Sequence, residues 1–254
     1  MNKHIMQNIT WKEFQQNINN VLILPVGSTE QHGPHLPLSV DTVIAEKLAL
    51  MLAEKVNGIV APALSYGYKS KPLSGGGPLF PGTIDLNGIT LMNITEDLLE
   101  EFIKDGITKI FILNAHFENE AFVLESVDIV SRRHPEVTII ETNWWDVLTQ
   151  DIIDKVFSEV PFPGWAFEHA AITETSLMMY LAPELVREEL MSNEMGAEPS
   201  PYAKYPIVKG MVPDSGILAP AISSSSDKGK LIADSAISAF VDIVKNEFNQ
   251  NKRR

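Results

Sequence analysis

The chain has 254 residues, 44% of them apolar and 21% charged, and no cysteine, which excludes disulfides and thiolate metal sites. Its 20 basic against 33 acidic residues leave a formal charge of −13. That balance opposes sequence-independent binding to nucleic acid or to anionic membranes.

The N-terminal residues 1–8 carry no continuous apolar segment of the signal-peptide kind, and no apolar run approaches the roughly 20 residues of a membrane span. A soluble, cytoplasmic protein acting on a small molecule is expected. Thr10 is placed to cap a short helix bearing Trp11, Phe14 and Ile18. Residues 21–26 form an unbroken apolar run, as in a strand buried on both faces. A polar loop follows, Glu30-Gln31-His32-Gly33-Pro34-His35, closing at Asp41, where a helix N-cap belongs. Val43, Ile44, Leu48, Met51 and Leu52 then recur at helical spacing.

Residues 59–64 read as a second strand, and 65–82 as a long loop containing Ser74-Gly75-Gly76-Gly77. A loop of that length with two tyrosines and a phenylalanine reads as functional rather than disordered. A helix is expected over 89–104, a third strand over 109–113, and a helix opening at Glu118 with Phe122, Val123, Val127 and Val130 on one face. A fourth strand over 137–140 leads into Asn143-Trp144-Trp145-Asp146. The segment Trp165-Ala166-Phe167-Glu168-His169 precedes a helix over 170–181. Residues 191–225, with five prolines, read as a surface excursion, and Ser226-Asp227 as the cap of a last helix reaching about 248. Strands alternating with helices predict a mostly parallel sheet covered on both faces, a three-layer α/β/α arrangement. One domain over 1–254 is expected, with 249–254 a frayed tail.

In such sheets ligands bind beyond the carboxyl ends of the strands, where residues 30–41 and 114–118 both fall. Glu30 and His32 are two apart, as are His116 and Glu118. With Asp41 they make a five-ligand set suited to two divalent ions such as Zn²⁺ or Mn²⁺. Such a pair activates water and polarises a carbonyl. Taken singly, each residue has a plainer reading: Asp41 a helix cap, His116 a hydrogen-bonded histidine, Glu118 a helix-dipole partner. Glu168 and His169 read either as a general acid/base pair or as an exposed loop pair. Trp144, Trp145 and Trp165 wall a pocket or belong to the core. His35 is a loop support, and His4 and His134 are surface residues.

These motifs resemble the creatininase (creatinine amidohydrolase) family. The resemblance rests on Gly27-Ser28-Thr29-Glu30-Gln31-His32-Gly33-Pro34-His35, Asp41, Tyr66-Gly67-Tyr68-Lys69-Ser70, the triple glycine, Phe80-Pro81-Gly82-Thr83, Asn114-x-His116-x-Glu118-Asn119, Glu168-His169-Ala170 and Glu174-Thr175-Ser176-Leu177-Met178. It implies that Glu30 and His116 hold one ion, His32 and Glu118 the other, and that Asp41 bridges them. It places Glu168 and His169 beside the substrate, with His169 as proton shuttle, and Ser74, Phe117, Trp145 and Trp165 around the ligand. It implies a homohexamer and the hydrolysis of creatinine to creatine. The chain departs from the family pattern at Ala115 and Phe117, which replace a glycine and a tyrosine, at Ala166, where creatininases tend to carry aspartate, and at Pro78-Leu79. A sister activity on another cyclic or formyl amide, or a non-catalytic metal- or ligand-binding role, are the alternatives.

Overall fold

The computed structural model describes residues 2–73, 75, 77–194 and 200–248. The expected frayed tail at 249–254, and Ser74, lie outside the described residues. Four parallel strands, β1 (Leu22–Val26), β2 (Ile59–Val60), β3 (Lys109–Asn114) and β4 (Thr138–Asn143), form a sheet in the order β2-β1-β3-β4. Seven α-helices accompany them among the described residues: α1 (Trp11–Gln16), α2 (Val40–Val56), α3 (Gly88–Lys104), α4 (Glu120–Arg133), α5 (Gln150–Val156), α6 (Ile172–Leu181) and α7 (Ser226–Glu247).

Alternation along the strands builds the layers. Ile23, Phe111 and Leu113 point into a core made with Ile44 and Leu48 of α2, Leu177 of α6 and Phe240 of α7. Leu22, Leu24, Ile110 and Ile112 point the other way, to Leu99 and Phe102 of α3 and Val123 and Val130 of α4. A two-sided strand needs apolar residues at every position, which is why residues 21–26 carry no polar side chain. The parallel three-layer arrangement expected from the order of elements is therefore present.

Several local expectations change. β2 pairs only over Ile59–Val60, because Pro62 has no N–H to donate; the chain rejoins β1 through a bridge between Val26 and Leu64. Ser39, not Asp41, occupies the N-cap position of α2, and Asp41 lies in the first turn with its side chain buried. Glu118 belongs to a short 3₁₀ turn, Phe117–Asn119, that precedes α4. Ser225, rather than Ser226-Asp227, caps α7, its side chain accepting from the Lys228 N–H. Thr10 does cap α1, in a reciprocal arrangement with Glu13. The proline-rich excursion is exposed at Tyr202 and Tyr205 but buries Val212, Ile217, Leu218, Ala219 and Ala221. Its inner end thus packs onto the body of the fold. His4 is half-buried rather than solvated, its Nδ1 donating to the Gly58 carbonyl at 2.8 Å. No helix among the described residues is long and apolar enough to cross a membrane.

Candidate metal centre and its pocket

Five segments converge beyond the carboxyl ends of β1, β3 and β4. The loop after β1 brings Glu30 and His32, the first turn of α2 brings Asp41, and the end of β3 brings His116 and Glu118. The end of β4 brings Trp144 and Trp145, and the approach to α6 with its first turn brings Trp165, Glu168, His169 and Glu174. All of these line one cavity, together with Gly75, Ala115, Phe117 and Ala166.

Two donor groups share Asp41. Glu30, Asp41 and His116 form one; His32, Asp41 and Glu174 form the other, and in each the donor atoms lie within 4.8 Å of one another. His116 Nδ1 is 3.3 Å from Glu30 Oε2 and 3.2 Å from Asp41 Oδ2. His32 Nε2 is 3.1 Å from Asp41 Oδ1 and 3.6 Å from Glu174 Oε2. The opposite nitrogen of each ring is committed elsewhere: His32 Nδ1 donates to the Glu30 carbonyl at 3.1 Å, and His116 Nε2 to the Tyr68 carbonyl at 2.7 Å. A carbonyl can only accept, so when the rings are neutral the lone pairs face the acidic cluster, as in metal-binding histidines with a carbonyl behind them.

Buried His32 Nε2 and Asp41 Oδ2 have close neighbours but no well-aligned hydrogen bond, an arrangement that a further group between the donors would complete. Nitrogen and carboxylate donors without sulfur match Zn²⁺ or Mn²⁺. The residues therefore fit two divalent ions with Asp41 between them.

Without ions, the cluster is held together by protons. Burial pushes the His116 imidazole down, but Glu30 and Asp41 outweigh it and raise it to about 10. Asp41 and Glu174 likewise hold His32 well above its usual value against the effect of burial. Burial opposes ionisation of Asp41, yet the two imidazoles hold it well below the carboxylate range. Burial raises Glu30 to about 7, with His116 and His32 opposing.

Glu118, expected to partner His32, joins neither of these donor groups. Glu118 stands on the far side of His116, its Oε2 3.7 Å from Nε2, the nitrogen that faces away from Asp41. Its Oε1 accepts the Lys71 N–H at 3.3 Å, and burial raises its carboxyl. The carboxylate beside His32 is Glu174, whose Oε2 also accepts the Ala170 N–H at 2.7 Å. Glu174 lay within a quoted motif, but on a helix well removed in sequence, and no local spacing ties it to His32.

His169 is buried beside the cluster, its ring centroid 4.4 Å from that of His32. Burial, then the neighbouring His32, holds it well below the usual histidine value, so the ring is neutral. Gln31, another residue without an assigned role at the level of sequence, sets its Nε2 2.9 Å from His169 Nε2 and within 3.1 Å of the Gly75 and Gly216 carbonyls, three acceptors for its two N–H bonds. Glu168 Oε2 accepts from the N–H and hydroxyl of Thr173, while buried Oε1 has no partner. Burial raises Glu168 to about 7, with Thr173 opposing. The next residue, Ala170, has φ 54°, a left-handed conformation costly for a side chain with Cβ and common at functional turns. His35 is buried and pairs with Thr175 Oγ1 at 2.9 Å, a support as expected.

An aromatic wall faces these groups. Phe117 packs on Trp145 at 5.8 Å between ring centroids, and Trp144 packs edge-on against Trp145 at 5.5 Å and Trp165 at 5.9 Å. The triple-glycine loop has a packing reason: a Cβ on Gly77 would drive into the Glu30 side chain, and Ser70 donates a hydroxyl to Glu30 from the same side.

This fold and this site are those of a metal-dependent amidohydrolase. The family model described as "Creatininase: Creatinine amidohydrolase" matches residues 7–244, and the chain belongs to that family. It is 33% identical to the creatinine amidohydrolase of Pseudomonas putida, over 94% of this chain and 95% of that one. It is 27% identical to the mycofactocin precursor peptide peptidase of Mycolicibacterium smegmatis, over 89% of this chain and 84% of that one. Solved creatininase structures, among them a Zn-Zn type, a manganese form and a mutant complexed with creatine, match with a TM-score of 0.92 and 33% identity, covering 96% of this chain and 98% of theirs.

Proposed function

We propose that this chain hydrolyses the C–N bond of a cyclic amide, with creatinine to creatine as the reaction its similarity favours. The observation that carries the reading is the pair of donor groups sharing Asp41, set beside His169 and beneath the aromatic wall. Glu30, Asp41 and His116 would hold one divalent ion, and His32, Asp41 and Glu174 the other. Bound there, the ions supply Lewis acidity toward a carbonyl oxygen and lower the pKa of water.

The chain's own residues do the rest. Phe117, Trp145 and Trp165 press on the faces of a flat ring and exclude bulk water from it. Glu118, with its carboxyl raised by burial, takes the proton of the attacking water. His169, neutral and held by Gln31, carries a proton to the nitrogen that leaves. The new C–O bond replaces the C–N bond, and the ring opens to a carboxylate and a protonated nitrogen. Glu168 fixes the turn on which His169 stands through its bonds to Thr173.

The test is turnover of creatinine by the protein supplied with Zn²⁺ or Mn²⁺, read as creatine formed. Turnover that vanishes in His169→Ala supports the reading; an inert, fully metal-loaded protein refutes creatinine as substrate. A second reading, another cyclic or formyl amide, draws support from Ala166 and Phe117 in the wall.

A further inference from the structure

A second cavity of about 240 Å³ opens beside the first, whose own volume is about 40 Å³. The outer one is lined by Lys71, Leu73, Ala166, Phe167, Ser200 and Tyr202 among others, and the two meet at Ala166, which lines both. Its short methyl side chain brings no charge to this junction.

Lys71 holds the rim between them. Its ammonium stands 5.4 Å from the ring centroid of Phe117, which lines the inner cavity, and its own backbone N–H reaches Glu118. Among the described residues that ammonium makes no ion pair, although its charge acts on the nearby Glu118 carboxyl and acidic groups outnumber basic ones 33 to 20 in the chain. Lys104, Lys155 and Lys230 are spent on acidic neighbours one helical turn away, and Lys12 and Lys69 stand over rings that line neither cavity. Lys71 is instead braced on an aromatic ring and faces a cavity.

We infer that the outer cavity is a substrate subsite in which Lys71 reads an anionic arm, so that the preferred substrates are amides bearing a carboxylate beyond the scissile group. The inference rests on the amidohydrolase reading of the inner site. An arm passing Ala166 enters the larger space, and its carboxylate meets a cation that stands over the Phe117 ring. A neutral arm of the same shape gains nothing from the ammonium.

Two analogues of creatinine test this, with the N-methyl group replaced by a 2-carboxyethyl or by a 2-carbamoylethyl arm. The metal-loaded protein should hydrolyse the charged analogue with a kcat/KM about two- to fivefold above that of the neutral one, the size of an exposed ion pair. The ratio should fall to about one in Lys71→Gln and return in Lys71→Arg; a ratio cancels any general loss of activity in the variants. Calorimetric titration of the two ring-opened products onto metal-loaded protein gives the same comparison without turnover. A charged preference in that titration, lost in Lys71→Gln, upholds the subsite even where neither analogue is hydrolysed, a result that would refute the hydrolase reading alone. Equal values for the two arms in the wild type, or a preference that persists in Lys71→Gln because the ions themselves bind the carboxylate, overturns the inference.

Discussion

Glu174 sets its Oε2 3.6 Å from Nε2 of His32, across the space between the first turn of α6 and the loop after β1. That contact closes the second donor group and leaves Glu118 free on the other side of His116. The two glutamates therefore have separable roles.

Glu174→Gln should remove one ion per chain, and Glu118→Gln should retain both while turnover falls. Elemental analysis of the dialysed proteins checks the first half. Loss of a donor should weaken binding by more than the roughly 10–100-fold typical of losing a supporting partner. Loss of the base should cost about 10²–10⁴ in kcat. The opposite pattern, with metal lost from the Glu118 variant alone, would restore the pairing expected from sequence.

Metal affinity should climb with pH. In the ion-free protein Glu30 and Asp41 hold His116 protonated up to about 10, and a protonated imidazole cannot ligate. Each ion bound below that pH must displace protons. Zn²⁺ titrations at pH 6, 7 and 8 in buffers of differing ionisation enthalpy should show proton release and tighter binding at each step. A flat affinity across that range contradicts the assignment of His116 Nδ1 as a donor.

Removal of the ions should lower thermal stability as well. An ion present at 100 times its dissociation constant adds about 2.7 kcal/mol to a fold that binds it only when native. Melting in the presence and absence of a chelator measures the difference. An unchanged midpoint would mean that the ions are not bound at the buried cluster.

Away from the site, Glu141 of β4 carries a carboxyl raised to about 8 by burial, with Glu120 and Asp146 adding to the effect. The folded state favours its neutral form. Its contribution to stability is thus fully present below about 4.5 and is lost as pH rises through 8. Glu141→Gln should melt higher than the wild type at pH 8.5, by roughly 1–3 kcal/mol, and match it near pH 4.5. A variant less stable at both values refutes this.

Gly77→Ala should disturb the centre without touching a donor. Its Cβ would lie within 3.0 Å of Glu30 Cγ, closer than carbon atoms tolerate. Glu30 must then swing away from His116, and metal content and turnover should fall together; wild-type metal content in this variant would show that Glu30 has room to adjust.

Residues 21–26 read as a strand buried on both faces, because every position is apolar; alternation with helices then pointed to a parallel sheet, and that sheet puts Glu30, His32 and His116 at one edge. The absence of cysteine left imidazole and carboxylate as the strong metal donors. These conclusions follow from local pattern and topology, which a chain carries in its order. Tertiary packing decided what depends on distance. Asp41 could have been a cap or a bridge until the approach of His32 and His116 settled its side chain inward. Glu118 looked equivalent to a donor at two-residue spacing, but the His116 ring turned its other nitrogen toward Tyr68 and placed Glu118 behind it. Glu174 and Gln31 reach the centre only because α6 and the loop after β1 fold onto the same end of the sheet, and no periodicity within either segment records that meeting. The cavity beside Lys71 is likewise a product of packing: the loop before α3, the turn before α6 and the proline-rich excursion line it only when all three are in place.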